Sequence, residues 1–350
     1  MTIKRLIKFL ESVAPPALQE SYDNAGLIVG NASNTIKGVL LCLDSTEAVI
    51  DEAIRKKCNL VIAHHPIVFK GLKTITGKNY VERVIIKAIK KDIAIYAIHT
   101  NLDNVYHNGV NEKIAQRIGL VNTQILAPKK GLKKLFTFVP GSHSEKVRNA
   151  LFQAGAGQVN GFEHLSYSGV GLGTQKVGGN PEVKLEVLFP ATLQSTVLKA
   201  LKKVHPGNNI PYDIMEVEST LNNIGAGIIG KLPKSISATA FLKRVKRKMR
   251  VRCIRHTQFL RKPIKKVAVC GGAGGFLLPN AIAAGADIFI TADYKYHEFF
   301  DADGKIIIAD IGHYESEQFT IDLLYEIITN KFSTFAAHCT EINSNPVKYL

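Results

Sequence analysis

Cysteine is scarce in this chain and badly placed for its common structural uses. The five cysteines (Cys42, Cys58, Cys253, Cys270 and Cys339) are odd in number, and no CxxC spacing occurs. This argues against a disulfide framework and a zinc ribbon, and it fits a reducing cytoplasm. Long apolar runs are missing too. No stretch approaches the roughly 18 residues that a membrane span needs, so no membrane partner is expected. The segment 2–10 has apolar residues at Ile3, Leu6, Ile7 and Leu10, interrupted by lysines. That spacing predicts an amphipathic helix rather than a signal peptide. Acidic residues are in short supply: 29 Asp and Glu against 45 Lys and Arg leave a formal net charge of +16. Such a charge fits either a polyanionic partner such as nucleic acid or a lysine-rich soluble surface. The densest basic run, residues 243–266, begins in a predicted helix over 240–249 with Phe241, Val245 and Met249 on its inner face. A solvated helix face is therefore the favoured reading of that charge.

A hydrophobic content of 46% marks a globular protein, and 350 residues are long for one core. The first distinctive pattern is a pair of adjacent histidines, His64 and His65. They follow the apolar run Asn59-Leu-Val-Ile-Ala63 and precede Pro66. Two imidazoles at the carboxyl end of a strand are placed where open α/β sheets bind ligands.

The surroundings of the pair recur. Val39-Leu-Leu-Cys-Leu43 predicts a strand, Asp44-Ser-Thr-Glu47 opens a helix with Ser45 or Thr46 as its cap, and residues 60–63 return as a second strand. This is a βαβ unit, which implies parallel strands and a right-handed crossover. Near the C-terminus, Val267-Ala-Val-Cys270, Pro279-Asn-Ala-Ile-Ala283 and Asp287-Ile-Phe-Ile-Thr291 repeat the layout. At an offset of 228 residues Val39 matches Val267, Cys42 matches Cys270 and Ile62 matches Ile290. Two similar lobes are expected, with His64-His65 and Ala292-Asp293 at equivalent strand ends. Each lobe continues with a helix and a further strand. One of these strands ends in His99-Thr-Asn-Leu-Asp103 and the other in Gly312-His313-Tyr-Glu-Ser-Glu317.

Between the lobes, residues 133–218 change character. Strand-to-helix pairs at 135–154 and 182–204 and a strand at 210–217 make a doubled βαβ, the ferredoxin-like pattern. The glycine-rich stretch 169–179 joins the halves and reads as a flexible hairpin or loop. The expected domains are residues 1–130, an insert at 131–222, and residues 223–350.

His313 and Glu317, at i and i+4, share one helix face. Alone they would be a surface ion pair, and Asp103 alone would be a helix cap. Taken with His64 and His65 they form the imidazole–carboxylate mixture that first-row divalent metals take. Three histidines and two carboxylates suit two ions better than one. The loop Cys270-Gly-Gly-Ala-Gly-Gly275 follows a strand, and it reads equally as a phosphate-holding turn or a plain tight turn.

Five segments in order carry a resemblance: Tyr22-Asp-Asn-Ala-Gly-Leu-Ile-Val-Gly30, Ala63-His-His-Pro-Ile-Val-Phe69, His99-Thr-Asn-Leu-Asp103, Thr291-Ala-Asp-Tyr-Lys-Tyr-His297 and Gly312-His-Tyr-Glu-Ser-Glu317. On these the chain resembles the NIF3-like (DUF34) family, whose members are called GTP cyclohydrolase 1 type 2 homologs. The resemblance implies two similar α/β lobes (the NIF3-like fold), a PII/CutA-like insert of ferredoxin-like α+β fold, and a toroidal homohexamer. It implies two divalent ions, zinc, iron or manganese, in the cleft between lobes. His65 and Asp103 would serve one ion, His64 and His313 the other, and Glu317 would bridge them. His99 and His297 would lie close by, either supporting the ligands or transferring protons; apart from the resemblance, Asp293 reads as a residue that orients a histidine. The implied activity is metal-dependent hydrolysis of a small molecule such as a nucleotide, opening the purine ring of GTP. Hydrolysis of another phosphoester or amide, or a non-catalytic metal-binding scaffold, stays open. The chain departs from the family's insert at His205-Pro-Gly-Asn-Asn209, where His-Pro-Tyr-Glu-Glu is usual.

Overall fold

Short, wholly apolar strands alternating with amphipathic helices are satisfied by a parallel sheet with helices laid on its faces. The computed structural model describes residues 1–173 and 180–350, and it follows that rule in both halves of the chain. Helix α1 (Ile3–Val13) buries Ile3, Leu6, Ile7 and Leu10, as their spacing requires. The first half then runs β1 (Gly26–Val29), β2 (Gly38–Cys42), α2 (Glu47–Arg55), β3 (Leu60–Ala63), α3 (Tyr80–Lys90), β4 (Ala94–Ala97) and the four-residue α4 (Thr100–Asp103). β2, β3 and β4 are parallel, and Cys42, Ala63 and Ala97 lie level at their carboxyl ends. β1 pairs antiparallel with β4 at the edge. The Thr46 hydroxyl accepts the Val49 N–H at the start of α2, and Asn79 accepts the Glu82 N–H at the start of α3. Each cap satisfies an otherwise unpaired donor of the first turn.

After α5 (Val110–Ile118), strand β5 (Val121–Lys130) leads out of the first compact unit, which comprises residues 1–127 and 224–350. Residues 128–223 form the second unit. Its elements are β6 (Leu132–Pro140), α6 (Ser144–Gln153), β7 (Ser166–Gly173), β8 (Asn180–Pro190), α7 (Gln194–Val204) and β9 (Tyr212–Glu216). The four strands lie in the order β7-β8-β6-β9, every pair antiparallel. This is the split-βαβ arrangement. Leu135, Val139, Leu185 and Phe189 of the sheet pack on Val147, Leu151, Val197 and Leu201 of the two helices. Of the glycine-rich stretch expected as a hairpin or loop, Gly169–Gly173 belong to β7 and pair with β8. Residues 174–179 lie outside the described residues.

The chain re-enters the first unit on β10 (Thr220–Ile236). It continues through α8 (Ala238–Lys248), β11 (Arg255–His256), β12 (Ile264–Val269), α9 (Leu278–Ala283), β13 (Ile288–Thr291), β14 (Ile307–Asp310), α10 (His313–Glu317), α11 (Thr320–Lys331) and β15 (Ala336–Cys339). β12, β13 and β14 are parallel, and β11 lies antiparallel on β14 at the edge. The 228-residue offset carries β3 onto β13 end to end. It carries α2 onto a 3-10 turn (Gly275–Leu277) followed by α9. On α8, Phe241, Leu242, Val245 and the following Met249 are buried, while Lys243, Lys246, Arg247 and Lys248 are exposed.

The halves also exchange edge strands. The first sheet reads β1-β4-β3-β2-β15, and the second reads β11-β14-β13-β12-β10-β5. β15, from the end of the chain, lies parallel to β2 with Ala337 opposite Val39. A single core runs through both halves, from Leu41, Ile62 and Tyr96 to Val267, Ile290 and Ile307. Among the described residues no helix is long and apolar enough to cross a membrane.

Candidate metal centre

His64 and His65 follow the end of β3 in a bend of the chain. Their N–H groups donate to the carbonyls of Cys42 at 3.1 Å and Leu43 at 2.9 Å. The chain bends there, so both rings reach the same cluster, with their centroids 5.0 Å apart. His64 is fully buried, and its Nδ1 donates to the carbonyl of Ile98 at 2.8 Å. A carbonyl only accepts, so the proton is on Nδ1, and burial lowers the pKa of the ring. Nε2 is left with a free lone pair. The Nδ1 of His65 faces Asp44 Oδ1 at 2.8 Å, which turns its Nε2 inward.

Asp103 is the last residue of α4, one short turn beyond the end of β4. Its Oδ1 lies 3.6 Å from His64 Nε2. Both atoms are buried, and neither has a hydrogen-bond partner among the described residues. Buried polar atoms are normally satisfied, so two orphans facing each other mark a place for a ligand.

The second half supplies α10, whose first and last residues are His313 and Glu317. The rule that i and i+4 share a face holds even in this five-residue helix. His313 Nδ1 is 2.7 Å from Asp293 Oδ2, and its Nε2 is 3.4 Å from His65 Nε2. Glu317 is buried and divides its two oxygens. Oε2 lies 2.9 Å from His65 Nε2 and 3.1 Å from His313 Nε2, while Oε1 lies 3.8 Å from His64 Nε2. Ligand atoms therefore gather in three overlapping groups, each within 4.8 Å: His64 with Asp103 and Glu317, His65 with His313 and Glu317, and His64 with His65 and His99. His99 is held like the others, its Nδ1 2.8 Å from Asp23 Oδ1.

This partition differs from the expected one, in which His65 went with Asp103 and His64 with His313. The Ile98 carbonyl fixes His64 on the β4 side, beside α4, and Asp44 at the end of β2 turns His65 toward α10. His297 is exposed on the 3-10 turn Tyr296–Ala302, with ring neighbours Tyr296 and Phe300. It joins none of the three groups. Asp293 holds His313, the orienting role expected of it. Asp44 and Asp23 were not singled out for this role, although each sits in a segment already marked, at a strand end or in a quoted motif. Each of the four histidines thus has Nδ1 against an oxygen acceptor, the outer arrangement that sets the tautomer of metal-ligating histidines.

The charges at the centre are strongly coupled. Burial, and then the Glu317 charge, hold the Asp103 carboxyl well above the usual range. Burial opposes ionisation of Glu317 too, but His313, with His64 and His65, holds it well below its ordinary value. Burial would lower His65 and His313. Against this, Asp44 and Glu317 bring His65 up to about 9, and Glu317 and Asp293 bring His313 up to about 11. A buried cluster that keeps two imidazoles cationic at neutral pH is one whose carboxylates demand positive charge. Its donor set of imidazole nitrogen and carboxylate oxygen is what a first-row divalent ion takes.

The glycine loop after β12 serves this site by making room. A Cβ on Gly272, whose φ is +60°, would stand 2.5 Å from Glu317 Oε1. Three of the loop amides are already engaged: Gly271 N–H donates to Asn111 Oδ1, Gly272 N–H to Ser316 Oγ and Gly274 N–H to Thr291 Oγ1, each at 2.9 Å. These three are not free to cradle a phosphate, which supports the tight turn of the two readings of this loop.

A family model for Duf34/NIF3 (NGG1p interacting factor 3) matches residues 1–346. A Bacillus subtilis (strain 168) protein named GTP cyclohydrolase 1 type 2 homolog is 36% identical, the match covering 99% of this chain and 98% of that one. A Staphylococcus epidermidis (strain ATCC 12228) protein of the same name is 32% identical over 100% of both. Among solved structures, a Bacillus cereus protein described as related to NIF3 matches with a TM-score of 0.83 and 35% identity, over 100% of this chain and 99% of that one.

Proposed function

Since the chain belongs to the Duf34/NIF3 family, we propose that its centre holds two divalent metal ions and that the protein is a metal-dependent hydrolase acting on a nucleotide. The observation that carries this reading is the division of Glu317. One carboxylate oxygen faces the unpartnered His64 Nε2 and the other faces His65 and His313. In this assignment His64 and Asp103 would hold one ion and His65 and His313 the other, with a Glu317 oxygen available to each. The relatives' name, GTP cyclohydrolase 1 type 2 homolog, supports GTP as the substrate and hydrolysis of one of its rings as the reaction. When bound, two such ions lower the pKa of a shared water and polarise an electrophile.

The chain's own residues do the rest. Asp44, Asp23, Asp293 and the Ile98 carbonyl keep each imidazole turned inward. His99 stands beside the ligand group, its ring held by Asp23, and we assign it the proton transfer. The exposed His297 is given no part at the centre.

The test is metal content and turnover. The purified protein, reconstituted with zinc, manganese or iron, should hold two ions per chain. GTP turnover should disappear in the His64→Ala, Glu317→Ala double variant. Fewer than one ion per chain would sink the dinuclear reading. Two ions with turnover of a phosphodiester and none of GTP would move the substrate, and no turnover of any would leave a metal-binding scaffold.

We further propose that the insert is a PII/CutA-like module, supported by its strand order β7-β8-β6-β9. The family resemblance supports a homohexamer working in the cytoplasm. Light scattering of the purified protein tests the assembly.

A further inference from the structure

The residues that follow β15 run back along the outer side of the metal centre. The Thr340 N–H donates to the Leu41 carbonyl at 2.9 Å, its hydroxyl donates to Glu52, and the Glu341 N–H donates to Glu52 Oε1 at 3.0 Å. Next, Ser344 Oγ donates to Asp44 Oδ2 at 2.5 Å, and Asn345 Nδ2 donates to Glu315 Oε1 at 3.0 Å. Two consecutive residues thus grip one carboxylate from each half of the centre. Asp44 holds the ring of His65, and Glu315 sits in α10 between His313 and Glu317.

The Asp44 contact is the more telling. The carbonyl that holds His64 is main chain and cannot swing away. Asp23, which holds His99, is anchored nearby through Oδ2 by the Thr100 N–H at 3.1 Å and the Thr100 hydroxyl at 2.5 Å. Asp44 has no such local anchor among the described residues. Its side chain is 35% exposed, and its carboxylate has two partners, His65 and Ser344. Ser344 lies 300 residues further along the chain.

We propose that Ser344 is a positioning residue of the metal centre: by holding Asp44 it keeps His65 Nε2 turned toward Glu317 and His313. The inference rests on the metal reading given above. Without the hydroxyl, Asp44 can rotate into solvent, and the His65 Nδ1 loses the acceptor that sets its tautomer. The effect should fall on the ion shared by His65, His313 and Glu317. The ion at His64 and Asp103 depends on the Ile98 carbonyl and not on Asp44.

The experiment compares wild type, Ser344→Ala and Ser344→Thr in the full chain. Zinc is titrated against a chromophoric chelator, and imidazole nitrogen NMR spectra are recorded on the metal-free proteins at about pH 10, where the His65 ring is neutral. Expected are two tight zinc ions in wild type and, in Ser344→Ala, one ion weakened by about 10–100-fold, the usual effect of losing an outer-shell partner. The His65 resonances should shift toward mixed tautomers while those of His64 stay put, and Ser344→Thr should restore both readouts. Wild-type affinity for both ions with an unmoved His65 spectrum would overturn the inference. So would equal weakening of both ions together with a lowered Tm that threonine does not repair. If wild type took up no zinc, the metal reading would fall, and the His65 spectrum would still decide whether Ser344 orients that ring. Should the alanine variant fail to fold, Ser344→Cys keeps the volume with a weak donor and takes its place.

Discussion

At the scale of single residues, the centre is defined by which nitrogen of each imidazole is already engaged. Glu317 faces both groups, so on the two-ion proposal Glu317→Gln should weaken both ions at once, whereas His64→Ala should weaken chiefly the one assigned to Asp103. Stepwise zinc titration of the two variants separates these outcomes. Protonation gives a further expectation. His65 at about 9 and His313 at about 11 are cationic in the metal-free protein at pH 7, and both must lose a proton to bind metal. Zinc affinity should therefore rise with pH from 6 to 9. Calorimetry at pH 7 in buffers of different ionisation enthalpy should report net proton release, and a pH-independent affinity would contradict it. The sign for stability is opposite. Folded-state values raised above the ordinary histidine value contribute stability that is full below about 6.5 and is lost as pH climbs through about 9 and about 11. The Tm of the metal-free protein should fall over that range while added zinc raises it increasingly. The side chains that the structure gathers, His64, His65, Asp103, His313 and Glu317, are marked in the sequence because they stand at or just beyond the ends of apolar runs. Their division into groups is not marked there, because it depends on ring orientation set by Ile98 and Asp44. Ser344 gave no signal, since nothing local links a serine to an aspartate 300 residues away.

At the scale of elements, the βαβ units were legible because their strands are wholly apolar and their helices carry clear caps and faces. The edge strands were not. β11 is two residues long, β15 is Ala-Ala-His-Cys without β-branched residues, and the 17-residue β10 is broken by glycine, asparagine and proline. The ligand-bearing helices α4 and α10 are four and five residues long, too short to persist without tertiary support. Asn111 provides some of it. Its Nδ2 donates to the Asp103 carbonyl at 3.1 Å, and its Oδ1 accepts the Gly271 N–H at 2.9 Å. Asn111→Ala would strand that buried amide, for a loss of about 1–3 kcal/mol readable as a lower Tm. Gly272→Ala should be harmful in a different way. It combines the left-handed backbone with the approach to Glu317 Oε1, so it should lower zinc affinity as well as Tm.

At the scale of the whole molecule, every residue assigned to the centre lies within residues 1–127 and 224–350, none in the unit at 128–223. Replacing residues 131–219 with a short turn should therefore leave zinc stoichiometry and affinity as they are. β5 and β10 are sheet neighbours, with Gly230 against Val121 and Thr123 and Gly227 against Leu126, so their far ends come back together. A deletion variant that folds but binds no zinc would show that the insert shapes the centre.

The exchange of edge strands bears on how the protein is made. During synthesis β2 emerges early, and the strand that covers its open edge is not translated until residues 336–339. At about 5–20 residues per second the first sheet waits roughly 15–60 s for its last strand. α10, with His313 and Glu317, arrives shortly before β15, and Ser344 arrives just after it. Until residues 313–317 have emerged, a nascent chain can display His64 and His65 but lacks His313 and Glu317. On the metal reading proposed above, a product truncated before His313 lacks two of the five proposed ligands.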